Sequence, residues 1–343
     1  MNLQRLNDTA LALVAGDKGL LAMDESNATC NRRFEMLGIA PTQAMRRAWR
    51  NLIVGTPDLG DCISGAILFD ETIRQHTDAG TPFATALVDA GMLPGIKVDT
   101  GAKALAGSPG EQVTEGLGGL RERLAEYATM GARFAKWRAV LVIGAGLPTR
   151  GCIEANAHTL ARYAALCQEA ALVPIVEPEV LMDGDHTLAQ CEAVTGEVLR
   201  AVFGQLHAQR VALEGMLLKP NTVLPGLACA EPASAVEVAE ATLRCLLRSV
   251  PAAVAGIAFP SGGQTPALAC ARLNAMALQC KSRAPWPLTF SFARAIQRPA
   301  LELWQGKTTQ IAAAQQTLLH RARCSQAARR GDYSAAMETR ACA

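Results

Sequence analysis

The sequence predicts a single-domain (β/α)8 barrel with a flexible C-terminal tail, and three observations carry that expectation. Eight short apolar runs each end on a polar or reactive residue: 20–24, 66–70, 95–99, 133–138, 173–179, 215–221, 256–261 and 287–291. Buried strands that hand a functional group to their C-terminal ends are what such a barrel enzyme requires. The intervals between runs are mostly roughly 30 to 45 residues, room for one helix and two loops. The chain of 343 residues, half of them hydrophobic, is long enough for one large α/β core.

Along the chain, residues 119–130 place Leu120 and Leu124 on one face and Arg121, Glu122 and Glu126 on others, with Gly131 as a stop. Residues 153–170, 188–208, 236–249 and 266–278 also carry helical patterns, the third ending before Pro251. No linker interrupts residues 1–320, and no repeat at a solenoid period is present. The expected barrel unit is 1–324. Residues 325–343, rich in Ala, Arg and Ser without apolar periodicity, read as a mobile tail.

Composition narrows the function. The formal charge is +2, from 33 basic and 31 acidic residues, so no nucleic acid or anionic membrane is expected as partner. No apolar run approaches the ~20 residues of a spanning helix. The polar N-terminus is not a secretory signal. The eleven scattered cysteines lack a C-x-x-C pair and read as reduced thiols of a cytoplasmic protein. The five histidines are not at metal-ligand spacing. Gly144-Ala145-Gly146 and Gly306-Lys307-Thr308 are too incomplete for nucleotide-binding fingerprints.

The chemistry centres on Lys219, in Leu217-Leu218-Lys219-Pro220-Asn221. A desolvated lysine near a second cation can be a free nucleophile, and Lys136, two runs away on the same expected rim, is the candidate neighbour. An imine formed on such a lysine is an electron sink for carbon–carbon cleavage; the alternative is an ordinary solvated lysine. Glu177 and Glu179, alternate residues of one strand, share a face. They can donate protons during imine formation or serve as ion-pair partners of Lys136 and Arg138. Asp24 can take a substrate hydroxyl proton or cap the next helix, a task Ser26 and Thr29 could also perform. Ser261, Gly262 and Gly263 follow the seventh run and precede a helix, and Ser291 and Arg294 follow the eighth. This is where such barrels often hold phosphate, although Ser-Gly-Gly can also be a plain turn. Arg32, Arg33, Lys97 and Arg138 form a second cationic set, suited to a substrate with a phosphate at each end.

These motifs, together with Leu21-Ala22-Met23-Asp24-Glu25-Ser26, Gly95-Ile96-Lys97-Val98-Asp99, Phe134-Ala135-Lys136-Trp137-Arg138, Asp183-Gly184-Asp185-His186 and Glu214-Gly215, resemble class I fructose-bisphosphate aldolase in order and spacing from about residue 8 to about residue 330. The resemblance implies a homotetrameric, cytoplasmic enzyme of glycolysis and gluconeogenesis, needing no metal or other cofactor. It would reversibly cleave fructose 1,6-bisphosphate to dihydroxyacetone phosphate and glyceraldehyde 3-phosphate. It further implies that Lys219 forms the Schiff base and that Glu177 moves protons beside Lys136 and Glu179, while Asp24 assists at the breaking bond. Ser261, Gly262, Gly263 and Arg294 would hold the ketone-half phosphate, and Ser26, Thr29, Arg32, Arg33 and Lys97 would surround the other. Ser291 and Arg138 match further active-site positions.

The chain departs from the family pattern in places. Thr29 stands for a serine, Arg32 for a lysine, Ala293 for a frequent glycine and Pro260 for an apolar residue. The C-terminal tyrosine of the animal enzymes has no counterpart in Arg340-Ala341-Cys342-Ala343. Alternatives with the same lysine are a preference for fructose 1-phosphate or sedoheptulose bisphosphate, or a pyridoxal-phosphate barrel. The alternative from another class is an aldolase-like scaffold or binding protein.

Overall fold

The computed structural model describes residues 2–280 and 283–339. Eight parallel strands close into a barrel: β1 Gly19–Ala22, β2 Ile63–Leu68, β3 Leu93–Lys97, β4 Phe134–Leu141, β5 Val173–Val180, β6 Leu217–Leu218, β7 Gly256–Phe259 and β8 Leu288–Phe292. Each pairs with its neighbours in sequence order, and β8 closes on β1. The strands read as continuous apolar runs because both faces are covered. Every residue of β1, β2 and β5 is buried, as in parallel sheets flanked by helices. The expected barrel is therefore the observed one.

Register decides which functional groups meet. Lys97 lies opposite Lys136, and Arg138 lies opposite Glu177. β6 is the shortest strand, yet the Lys219 N–H still donates to the Val176 carbonyl, 2.8 Å away. That bond fixes the lysine at the barrel rim.

The barrel floor is sealed by the helix Leu3–Leu13, whose Leu6, Ala10 and Leu13 pack with Phe134, Val173, Ile175 and Leu217. Glycine makes room there. A Cβ on Gly95 would lie 2.2 Å from the Phe134 ring, so only glycine fits beside it. The five expected outer helices appear as Leu120–Thr129, Arg150–Glu169, Leu188–Ala208, Ala235–Ser249 and Pro266–Cys280. Cys229 apart, the cysteines whose side chains are described are buried.

Packed structure continues past residue 324. The helix Ile311–Arg330 runs through the expected 324/325 boundary and buries Ala322, Ser325 and Ala328. Its packed stripe beyond Arg321 is built from small side chains, so it carries no strong apolar period. Gly331, at φ 86°, ends the helix in the left-handed region that suits glycine. The chain then stays docked. The Tyr333 N–H donates to Asn274 Oδ1 at 2.9 Å, its hydroxyl donates to Glu338 Oε1 at 2.8 Å, and Glu338 pairs with Arg321 at 2.5 Å. Residues 340–343 of the expected tail lie outside the described residues.

Candidate active site

The C-terminal ends of the strands open into one cavity of 1240 Å3. Its lining includes every sequence-predicted site residue except Gly263, which lines an adjoining chamber of 320 Å3. At its floor, Glu177 of β5 bridges two lysines. Its Oε1 lies 3.0 Å from Lys219 Nζ and its Oε2 lies 3.4 Å from Lys136 Nζ. Lys136 also meets Asp24 Oδ2 at 2.6 Å. All four groups are buried: Asp24 is 8% exposed, Lys136 4%, Glu177 2% and Lys219 3%. Buried charges persist only when paired, and here two cations and two anions balance.

Asp24 is free for this role because Ser26 does the capping. The Ser26 hydroxyl accepts the Thr29 N–H at 3.3 Å at the start of the helix Asn27–Glu35. Glu179, two residues after Glu177, turns to the same cavity and pairs with Arg138 Nε at 2.5 Å. The two carboxylates of one strand thus have different partners.

One side of the cavity suits an anion. Gly262 adopts φ 53°, and the Arg294 guanidinium donates to its carbonyl. A Cβ on Gly263 would lie 2.5 Å from Met182 Sδ, so a side chain there would have to displace Met182. Arg294 opens the helix Arg294–Trp304, whose start has no side-chain cap, leaving the N–H groups of Arg294 and Ala295 to an anion. Ser261 and Ser291 are buried beside it, and Ser291 Oγ has no hydrogen-bond partner among the described residues.

The second cationic set lines the same cavity. Lys97 pairs with Asp99 at 2.6 Å, Arg33 with Glu25 at 2.6 Å, and Arg32 donates to the Thr29 hydroxyl at 3.3 Å.

The whole chain matches known proteins of one kind. A family model described as fructose-bisphosphate aldolase class-I covers residues 5–343. A "Probable fructose-bisphosphate aldolase class 1" of Xanthomonas campestris pv. campestris is 56% identical over 324 residues, 94% of this chain and 96% of the relative. "Fructose-bisphosphate aldolase 6, cytosolic" of Arabidopsis thaliana is 49% identical, over 92% of this chain and 88% of its own. A solved fructose-bisphosphate aldolase from Plasmodium falciparum, in complex with TRAP and a small-molecule inhibitor, superposes with a TM-score of 0.95 at 45% identity, covering 96% and 95% of the two chains. The chain belongs to the class I fructose-bisphosphate aldolases. It is a glycolytic lyase of the family that cleaves fructose 1,6-bisphosphate through a lysine Schiff base without a metal.

The electrostatics of this aldolase follow from the buried quartet. Burial alone would raise the Asp24 carboxyl, but the ammonium groups of Lys136 and Lys219 outweigh it and hold the group at about 2. Burial likewise opposes charge on Lys136, yet Asp24, Glu177 and Asp99 push its ammonium well above the usual lysine range. Glu177 is held below the ordinary carboxylate range, burial being outweighed by Lys219, Lys136 and Arg138. The resting site therefore holds ionised carboxylates against a permanently charged Lys136.

A pH prediction follows. Asp24 is depressed from 3.8 to about 2, so its stabilisation is fully present above about pH 4 and is lost as pH falls toward 2. The loss is on the order of 2 kcal/mol. Urea unfolding at pH 5, 3.5 and 2.5 is expected to show it, and Asp24→Asn should flatten that part of the profile. An unchanged slope in the variant would remove Asp24 as the cause.

Two residues of the site were given no role by the sequence reading. Asp99 accepts the backbone N–H groups of Gly101 and Arg138, at 3.1 and 3.2 Å, while pairing with Lys97. Glu25, next to Asp24, takes Arg33 and a second, buried arginine, Arg50. Asp99 closes the third apolar run and was legible as a strand-end group. Glu25 had no signal beyond adjacency.

Proposed function

We propose that Lys219 is the Schiff-base nucleophile of this aldolase and that Glu177 moves its protons. The carrying observation is the single buried carboxylate bridging both lysines. Glu177 rests ionised, so it first takes a proton from Lys219. The neutral amine attacks C2 of the open-chain ketose, and Glu177 returns the proton to the departing hydroxyl as the imine forms. Asp24 takes the C4 hydroxyl proton, and C4 becomes a carbonyl. The C3–C4 electron pair flows into the imine, giving an enamine on Lys219 and releasing glyceraldehyde 3-phosphate. Protonation at C3 and hydrolysis release dihydroxyacetone phosphate. Lys136 stays charged throughout and stabilises the developing oxyanions.

In this reading Ser261, Gly262, Gly263, Ser291 and Arg294 hold the C1 phosphate. Ser26, Thr29, Arg32, Arg33 and Lys97 hold the C6 phosphate. Arg138 and Glu179 lie between, their ion pair lining both chambers. The enzyme acts as a cytoplasmic homotetramer without a cofactor; the "cytosolic" Arabidopsis relative supports the compartment.

Borohydride reduction with fructose 1,6-bisphosphate tests the reading. The mapped adduct is expected on Lys219, formed equally with and without a chelator. An adduct on another lysine would overturn the assignment, and chelator sensitivity would point to a metal.

A further inference from the structure

Three helices and a strand-end loop converge on Glu25. Its Oε1 accepts Arg33 Nη1, from the helix Asn27–Glu35, at 2.6 Å, and Gln297 Nε2, from the helix Arg294–Trp304, at 3.0 Å. Its Oε2 accepts Arg50 Nη2, from the helix Gln43–Val54, at 2.9 Å. The orientation of the Gln297 amide is fixed by its other contacts. Its Oε1 accepts the Trp49 indole N–H at 3.3 Å, and its Nε2 donates to the Ala22 carbonyl at 2.6 Å. An indole can only donate, so the amide nitrogen must face Glu25. Burial opposes charge on Glu25, but Arg50 and then Arg33 hold the carboxyl below the usual range.

The two arginines differ. The Arg50 side chain is 3% exposed, and its Nη1 is buried without a hydrogen-bond partner. Its charge therefore acts inward, on Glu25. The Arg33 side chain is 27% exposed and lines the cavity. Among the described residues Glu25 is the only group bonded to its guanidinium, and through one nitrogen, so the remaining N–H groups of the fork are free for a ligand.

We infer that Glu25 is a positioning residue that aims Arg33 at the second phosphate of the substrate, and that Arg50 neutralises Glu25 so that it does so without repelling that phosphate. The inference rests on the assignment of Arg33 to the C6 phosphate. A free arginine loses much rotamer freedom on binding. An arginine already tethered at one corner loses less, and its planar fork is preset for bidentate contact. A carboxylate this close to a phosphate would ordinarily oppose binding. A fully buried counter-cation makes the pair neutral at the distance of the ligand.

The effect should be selective for substrates with two phosphates. The test is the ratio of kcat/KM for fructose 1,6-bisphosphate to that for fructose 1-phosphate, measured on the full chain. In Arg33→Ala the ratio is expected to fall about tenfold or more, the scale of a charge-assisted hydrogen bond. In Glu25→Ala it is expected to fall by about threefold or more, mostly through KM, since the tether orders Arg33 but does not itself touch phosphate. Glu25→Ala strands the buried Arg50, so Glu25→Ala/Arg50→Met removes the orphan charge and should reproduce the lower ratio in a folded protein. A merely structural Glu25 would lower both substrates alike. A ratio that falls in Arg33→Ala but holds in both Glu25 variants overturns the inference and leaves the phosphate site standing. A ratio unmoved in Arg33→Ala overturns the phosphate assignment and the inference with it.

Discussion

Lys219→Ala is expected to lower kcat for fructose 1,6-bisphosphate by at least roughly 10^4-fold, the scale of losing a covalent nucleophile. No other amine can take its place. Lys136, the nearest alternative in the quartet, is held charged by Asp24 at 2.6 Å and Glu177 at 3.4 Å, and an ammonium has no lone pair to offer a carbonyl. Lys97 is folded onto Asp99, with its Nζ also donating to the Asp99 carbonyl at 2.8 Å. The variant should stay folded, because Glu177 keeps Lys136 as a counter-ion when Lys219 goes. It should also keep substrate affinity within about tenfold, since in the proposed site the phosphates rather than the amine carry most of the binding. Titration calorimetry and stopped turnover on the same sample separate the two quantities. Retained affinity with lost turnover and lost borohydride trapping supports the mechanism. Turnover within a hundredfold of the parent would move the nucleophile elsewhere.

The barrel was legible because burial on both faces leaves parallel strands uniformly apolar, and the loss of that pattern marks each strand end. Even β6, with two residues in the ladder, announced itself through Gly215-Met216-Leu217-Leu218. The helix Leu3–Leu13 did not, because its buried stripe of Leu6, Ala10 and Leu13 is diluted by polar neighbours. The antiparallel hairpin of Gly101–Ala104 and Gln112–Glu115 is half-exposed and has no apolar run to find. In the site, strand-end residues were readable one by one, and pairing of the β5 carboxylates with Lys136 and Arg138 was among the expectations, but the bridge of one carboxylate to both lysines was not readable. The sequence argument set Lys136 against Lys219 as two neighbouring cations. The structure puts Glu177 between them, a fact that depends on the register of β4, β5 and β6 rather than on any motif. Glu25 was hidden for the same reason: Arg33, Arg50 and Gln297 reach it from three separate helices.

The Glu177 bridge makes the second large prediction. Glu177→Gln keeps the shape and removes the charge. It leaves Lys219 with no anionic partner among its ion pairs and Lys136 with Asp24 alone. Breaking a buried pair from one side costs about 3–5 kcal/mol, so a clear drop in thermal stability is expected. Turnover should fall by about 10^2- to 10^4-fold, the usual contribution of a positioned proton carrier. These two losses have different remedies, which separates structure from chemistry. Lys219→Met/Glu177→Gln removes both members of the 3.0 Å pair and should recover stability relative to Glu177→Gln, a non-additive result for groups in contact. It cannot recover activity. Were Glu177 only a counter-ion, the single variant assayed well below its melting temperature would turn over at nearly the parental rate, and imine trapping would be as fast as before. Slow trapping in a folded Glu177→Gln protein would instead place the defect at proton delivery to the departing hydroxyl, because Glu177 is the carboxylate paired directly with the Lys219 amine. Lys136 is held charged and Asp24 pairs with Lys136 rather than with Lys219, so the bridging carboxylate, 3.0 Å from the Lys219 amine, is the group that can exchange a proton with it directly.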